Sequence, residues 1–432
     1  MSLPVITVCE TYGTGRCEVI VEDSRVKGVR GRGCTLGRSS RFVYFIINDE
    51  VLHVSQLPGS RVVKAHDNEV CWEVPANVIA GKIGFEVSFT RRHSEPIITL
   101  FKVREGITES NELNKVIEPV NINENDLVKY VWDGKLKFRY FGNEGAYDKL
   151  YLDMVLKLID EFRNNLNQCG LKWSIKGDVA GSIVENPALE YLHAMIFPFE
   201  NSRLNAFHQR ITKSYELWVL SKVIRALCDA GGKPLNDKAS IYERWLYLPV
   251  ITFSFGNKCV HILYQADIVT HVAKIVDIEK NPCIPKWIPE CLSKCGVSWS
   301  RVHTAPDIML MMTNCGEKVE LECYAPFRMP LTWQYFEKIP LIIETKLRIS
   351  KTRGRGVLSE YETLSVAIKQ VCMYKCLLRD RPRITVVTHD SVNDDVKDDL
   401  MKAGATVIDE LMLGNEARIN ELLNIIRGSL GI

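Results

Sequence analysis

No stretch of this 432-residue chain approaches the roughly 18 consecutive apolar residues of a membrane-crossing helix, so no transmembrane segment is expected. The first residues, Met1–Glu10, lack a basic opening and a long apolar run, so no signal peptide is expected and the cytoplasm is the expected location. Neither charge sign is in excess. With 55 Lys+Arg against 53 Asp+Glu the net charge is +2, which excludes a global polycation and leaves any nucleic-acid partner to local basic patches. No internal repeat or low-complexity tract occurs. The composition, 46% hydrophobic and 25% charged, excludes a disordered or fibrous chain. Fourteen cysteines are too sparse for a disulfide scaffold, and without an export signal reduced thiols are expected. Intracellular proteins of hyperthermophiles are the exception to that rule. No paired Cys-x-x-Cys of a zinc ribbon occurs. Cys283, Cys291 and Cys295, with His303 nearby, lack an obvious fourth ligand, so buried or half-buried thiols are the plainer reading than zinc. Cys372 and Cys376 stand four apart and are expected on one helix face, toward a core.

At roughly 100–200 residues per domain, the length predicts two or three domains. From Val5 to Val103 the chain reads as short strands rich in Val, Ile, Phe and Tyr, separated by turn residues. The candidates Glu18–Val21, Phe42–Ile47, Val51–Val54, Lys82–Phe89 and Ile97–Val103 predict an antiparallel β domain over 1–110, a sandwich or partial barrel. Gly106–Asn123 is polar and reads as a linker. A mostly helical linker region is expected over 111–210. It holds a helix at Tyr147–Asn167, with Leu150, Met154, Leu158, Phe162 and Leu166 at helical spacing, and a short one at Pro187–Met195. Ser214–Asp229 is a second long helix, with Ser214 as N-cap and Gly231–Gly232 as its end. Strands at Cys259–Tyr264, Ile308–Met312, Leu341–Thr345 and Ile384–Thr388, with helices at Glu360–Leu378 and Val392–Ala403, predict an α/β layered domain over 211–432. A Cys- and Pro-bearing insertion lies between Asp267 and Arg301.

Chemistry concentrates in that last domain. Asp307 follows Pro306 at the start of an apolar strand, and Glu344 and Lys346 flank Thr345 at the end of another. Alternation along a strand sends Glu344 and Lys346 to the same face. A run as apolar as Leu341–Ile343 belongs in the interior, so charges at its end need a reason. Phosphodiester hydrolysis supplies one. Mg²⁺ or Mn²⁺ takes hard oxygen ligands such as Asp307 and Glu344, and an amine such as Lys346 orients the attacking water or stabilises transition-state charge.

Pro306-Asp307 … Glu344-Thr345-Lys346 resembles the signature of the PD-(D/E)xK nuclease superfamily. The resemblance covers roughly Ser214–Asp409 and implies a restriction-endonuclease-like core running helix, three strands, helix, strand, which is the order read above. It further implies a metal-site carboxylate on the first core helix, matched by Glu216. On the second helix it implies a Gln-x-x-x-Tyr pair, matched by Gln370 and Tyr374. Ser214-Tyr215-Glu216-Leu217-Trp218 is similar to the Tyr-Glu-x-Trp helix of McrC-type nucleases, the nuclease subunits of McrBC-like, modification-dependent restriction systems. That likeness implies an Mg²⁺- or Mn²⁺-dependent endonuclease acting on double-stranded DNA with a separate, McrB-like AAA+ GTPase motor. No Walker A pattern occurs here, so the motor must be another chain. Double-strand cleavage by such a nuclease usually takes two copies, so dimerisation on DNA is expected.

Arg348, Lys351, Arg353 and Arg355 follow the catalytic candidates directly and suit a DNA backbone. Arg25, Lys27, Arg30, Arg32, Arg38 and Arg41 form a second basic run; for both segments a solvated loop is the alternative. Each candidate also has a structural reading: Asp307 as a turn residue, Glu344 and Lys346 as a surface ion pair, Glu216 as a first-turn acid favoured by the helix dipole. Tyr215, Trp218 and Trp245 read as core aromatics, and no histidine constellation stands out. Two other functions are open. One is a standalone PD-(D/E)xK repair, junction-resolving or restriction nuclease. The other is a catalytically silent adaptor that keeps the fold.

Overall fold

The computed structural model describes residues 3–12, 18–22, 25–30, 40–48, 50–66, 68–88, 97–120, 137–138, 146–176, 184, 200–242, 249–266, 290, 293–295, 305–317, 339–347, 360–378, 380 and 382–432. The chain divides into two compact units, one of Met1–Leu156 with Glu185–Arg210, the other of Lys157–Val184 with Ile211–Ile432. Among the described residues are mixed sheets and six α-helices, and no helix is long and apolar enough to cross a membrane.

The first unit holds β1 (Val5–Thr11), β2 (Glu18–Glu22), β3 (Arg25–Arg30), β4 (Arg41–Ile47), β5 (Glu50–His53), β6 (Arg61–His66) and β7 (Glu69–Pro75). After the single-turn α1 (Ala76–Ile79) come β8 (Ile83–Ser88), β9 (Ile97–Val103), β10 (Asn111–Glu112), β11 (Ile117–Pro119) and β12 (Lys137–Phe138). Its main sheet runs β11-β9-β8-β4-β1-β7-β6, with β2 and β3 pairing apart as a hairpin. Strict alternation of burial along β1 turns Ile6 and Val8 into a core shared with Phe45, Trp72 and Phe85. Inside the same core Glu10 is fully buried and fully met. It accepts from Tyr12 Oη at 2.7 Å and Val43 N at 2.6 Å, and its Oε1 lies 2.9 Å from His53 Nε2.

Two expectations change here. The sheet is mixed, because the short β10 and β12 join β1 and β5 in parallel. Gly106–Asn123 is also no plain linker, since β10 and β11 within it extend the sheet through backbone bonds that need no apolar pattern.

The second unit contains most of α2 (Ala146–Gln168) and of α3 (Glu200–Asp229), then β13 (Lys172–Lys176), β14 (Lys233–Pro234), β15 (Lys238–Tyr242), β16 (Ile251–Phe255) and β17 (Lys258–Tyr264). It continues with β18 (Ile308–Asn314), β19 (Leu341–Lys346), α4 (Glu360–Leu377), β20 (Arg383–Thr388), α5 (Asp394–Lys402), β21 (Ala405–Ile408) and α6 (Glu416–Leu430). Helix α3 begins 14 residues before the expected Ser214 cap, and Ser214 is a buried mid-helix residue. No Gly or Pro lies between Glu200 and Ser214 to stop the helix, so it propagates back toward Pro198. Its other end is as expected: Gly231 takes φ +86°, and a Cβ on Gly232 would sit 2.5 Å from the Phe255 ring.

The central sheet runs β14-β16-β17-β18-β19-β20-β21. Neighbours are antiparallel from β14 to β19 and parallel from β19 to β21, across the α4 and α5 connections. Ala367, Val371 and Tyr374 recur at helical spacing on α4 and pack with Met309, Met311, Ile342 and Val386.

The cysteines depart furthest from expectation. Among the described residues, Cys9–Cys71, Cys169–Cys228, Cys259–Cys315 and Cys295–Cys372 are bridged, and Cys376 is bridged as well. These are disulfides where reduced thiols were expected, because pairing depends on three-dimensional neighbours that spacing does not reveal. Cys295 is spent on Cys372, so it is no zinc ligand; Cys283, Cys291 and His303 lie outside the described residues, as do Trp245 and Pro187–Met195.

Candidate active site

Antiparallel pairing brings the C-terminal end of β17, the start of β18 and the end of β19 to one edge of the sheet. Tyr264 stands opposite Ile308, and Ile308 opposite Ile343. The residues one step further, Gln265, Asp307 and Glu344, therefore line that edge, and Gln265 N donates to Asp307 O at 3.0 Å. Helix α3 adds Glu216, and α4 adds Gln370 and Tyr374.

Asp307 is no ordinary turn residue. It is 9% exposed, and its Oδ2 accepts from Thr345 N and Thr345 Oγ1, both at 2.7 Å. Glu344 and Lys346 are no surface pair. Glu344 is 1% exposed, and Lys346 Nζ lies 2.6 Å from its Oε1, as alternation along β19 requires. Burial, then the nearby Asp307 carboxylate, pushes the Glu344 carboxyl up to about 7 against the pull of Lys346. Burial works against the Lys346 ammonium, but Glu344 and Asp307 outweigh it and the amine pKa rises. Lys346 therefore stays charged, which suits it to stabilising negative charge better than to accepting a proton.

Glu216, 7% exposed and far from either end of α3, is not a first-turn acid. Its pKa is raised by burial and by Asp307, while Lys213 and Tyr264 pull the other way. One of its oxygens, Oε2, receives Lys213 Nζ at 2.8 Å, Tyr264 Oη at 2.9 Å and Gln265 Nε2 at 3.0 Å. Sequence reading passed over Lys213, Tyr264 and Gln265. The available signal was Lys213 three positions before Glu216, one helical turn away. Gln370 Nε2 approaches Tyr374 Oη at 3.5 Å and Tyr374 Oη approaches Glu344 Oε2 at 3.4 Å, loose contacts that place both side chains beside the carboxylates. Arg348, Lys351, Arg353 and Arg355 lie outside the described residues; Arg25, Lys27 and Arg30 lie on β3, and Arg41 pairs with Glu86 at 2.6 Å.

The neighbours of Glu216 explain the Tyr-Glu-x-Trp spacing. Tyr215 Oη donates to Leu411 O at 2.9 Å, Trp218 Nε1 donates to Glu161 Oε2 on α2 at 2.9 Å, and both rings are fully buried. Tyr215 and Trp218, three apart, share one face with ring centres 5.7 Å apart and anchor α3 through Leu411 and Glu161, while Glu216, one position on from Tyr215, is turned to the sheet edge.

These groups suit a hard divalent cation. Three buried carboxylates face two ammonium groups, leaving negative charge over. Asp307 Oδ1 and Glu216 Oε1 accept no hydrogen bond among the described residues, and Gln370 Oε1 is a buried acceptor without a partner there. The oxygens of the three carboxylates do not all lie within 4.8 Å of one another. The group that does meet that distance among the described residues is Cys9, Glu69 and Cys71, whose sulfurs are joined to each other and offer no thiolate. Comparison with protein-family models, with curated proteins and with solved structures returned no match.

Proposed function

We propose that this chain is an Mg²⁺- or Mn²⁺-dependent endonuclease that hydrolyses phosphodiester bonds of double-stranded DNA at the edge formed by Asp307, Glu344 and Lys346. The observation that carries the reading is the convergence of buried Glu216, Asp307 and Glu344 with Lys346 from one helix and two strands. The order around them supports it: past β14–β16, helix α3 is followed by strands β17, β18 and β19, helix α4 and strand β20, the order of the PD-(D/E)xK proteins that the sequence resembles.

When bound, the cation polarises the phosphate and makes hydroxide available near neutral pH. Thr345 fixes one oxygen of Asp307 and leaves Oδ1 for the ion; Glu344 and Glu216 complete the carboxylate set. Lys346, kept charged by its neighbours, offsets charge that develops on the phosphoryl oxygens. Gln370 and Tyr374 border the carboxylates from α4. The Tyr215–Trp218 resemblance extends the proposal to a nuclease subunit driven by a separate McrB-like AAA+ GTPase in a restriction system, dimerising on DNA.

Supercoiled plasmid incubated with the protein, Mg²⁺ or Mn²⁺, and with or without the GTPase and GTP tests this. Cleavage that needs metal and is lost in Asp307→Ala supports it. Efficient cutting of unmodified or branched DNA without a motor selects the standalone nuclease instead, and DNA or partner binding with no affinity for Mn²⁺ selects the silent adaptor.

A further inference from the structure

Resting on the reading of this sheet edge as a metal site, we propose that Lys213, Tyr264 and Gln265 form a clamp that positions Glu216, occupying one carboxylate oxygen so that the other is presented to the ion. Three donors from two elements meet on a single atom: Lys213 Nζ, Tyr264 Oη and Gln265 Nε2 all reach Glu216 Oε2 within 3.0 Å, while Oε1 receives no donor among the described residues. The donors also hold one another. Lys213 Nζ donates to Tyr264 Oη at 3.0 Å and lies 5.2 Å from the centre of its ring.

The backbone points the same way. Gln265 takes φ +49°, the left-handed region that a glutamine rarely adopts, and its N–H is tied to Asp307 O at 3.0 Å. A side chain turned from a strained backbone onto a metal-site carboxylate marks a position kept for what it holds. The clamp residues touch neither the ion nor the substrate in this assignment; they act through Glu216 and are positioning residues. Their role is that of groups behind a ligand, whose removal typically weakens metal binding by about 10–100-fold.

Isothermal titration of the full chain with Mn²⁺ at pH 8, paired with melting of the metal-free protein, separates this from a structural role. Gln265→Gly is the decisive variant. It removes the amide while relieving the left-handed backbone, so Mn²⁺ affinity falls by about 10-fold or more with the melting temperature unchanged or raised. Tyr264→Phe weakens Mn²⁺ binding in the same range, and Asp307→Asn abolishes it. Wild-type affinity in both Gln265→Gly and Tyr264→Phe, beside loss in Asp307→Asn, overturns the clamp and leaves the metal site standing. Absence of Mn²⁺ binding by the wild type, or its survival in Asp307→Asn, overturns the site and the clamp together.

Discussion

In the proposed cation site, Glu344 is the carboxylate whose protonation bears most directly on metal binding. Burial and Asp307 raise its carboxyl from 4.5 to about 7, so the fold binds this proton more tightly than the unfolded chain does. The associated stability is full below about pH 4.5 and is lost as pH rises through about 7. A divalent cation competes with that proton. Stabilisation by Mn²⁺, measured as a shift in melting temperature, is therefore expected to be small at pH 5.5 and to grow through pH 7–8; a shift independent of pH contradicts the assignment. Thr345→Val tests the same site from the other side. It removes the hydroxyl that holds Asp307 Oδ2 and keeps the shape, and about a 10-fold loss of Mn²⁺ affinity is expected in a calorimetric titration. His261, to which the sequence assigned no role, sits between Thr252 Oγ1 at 2.9 Å and Thr313 Oγ1 at 2.8 Å, and its lowered pKa reflects burial. It links three strands of the sheet and has no place in the site.

At the scale of elements, α3 does the positioning. Tyr215 and Trp218 anchor it from one face through Leu411 and Glu161, so their polar atoms carry stability that Glu216 chemistry does not need. Tyr215→Phe is expected to cost about 1–2 kcal/mol in denaturant unfolding, and Trp218→Phe more because it also deletes buried ring volume, each with Mn²⁺ affinity close to wild type. A loss of affinity without a loss of stability contradicts that division of roles. The strands that carry the site were readable from sequence because they are short, apolar and bounded by turn residues: Ile308–Met312 and Leu341–Thr345 lie within β18 and β19. The pairing of Glu344 with Lys346 followed from alternation alone. The start of α3 was misread because a serine that suits a cap is also tolerated in a helix interior, and only the upstream residues decide which. The short β10 and β11, held by backbone pairing, left no apolar pattern to read, whereas β13 and β15 do alternate, with Trp173 and Ile175 and with Ala239 and Ile241, over runs of only five residues. Lys213, Tyr264 and Gln265 were missed because their convergence depends on how α3 meets the end of β17.

The bridges act on the molecule as a whole. Sequence separations of 62, 59, 56 and 77 residues mean that each closes a long loop, worth about 2–4 kcal/mol through the unfolded chain. Reduction is therefore expected to lower the melting temperature by roughly 10 °C or more. Melting with and without a reductant, beside mass spectrometry of the unreduced protein, checks this; an unchanged melt contradicts it. Cys295–Cys372 also ties a described segment to α4, close in sequence to Gln370 and Tyr374.

Cleavage of supercoiled plasmid by the wild type and by Asp307→Asn, in Mg²⁺ with and without the proposed McrB-like GTPase and GTP, tests the proposed metal-dependent nuclease most directly. Nuclease action at Asp307, Glu344 and Lys346 predicts cutting by the wild type that EDTA abolishes and a rate at least about 100-fold lower in Asp307→Asn. Equal rates in the two proteins, or cutting that persists in EDTA, would contradict it.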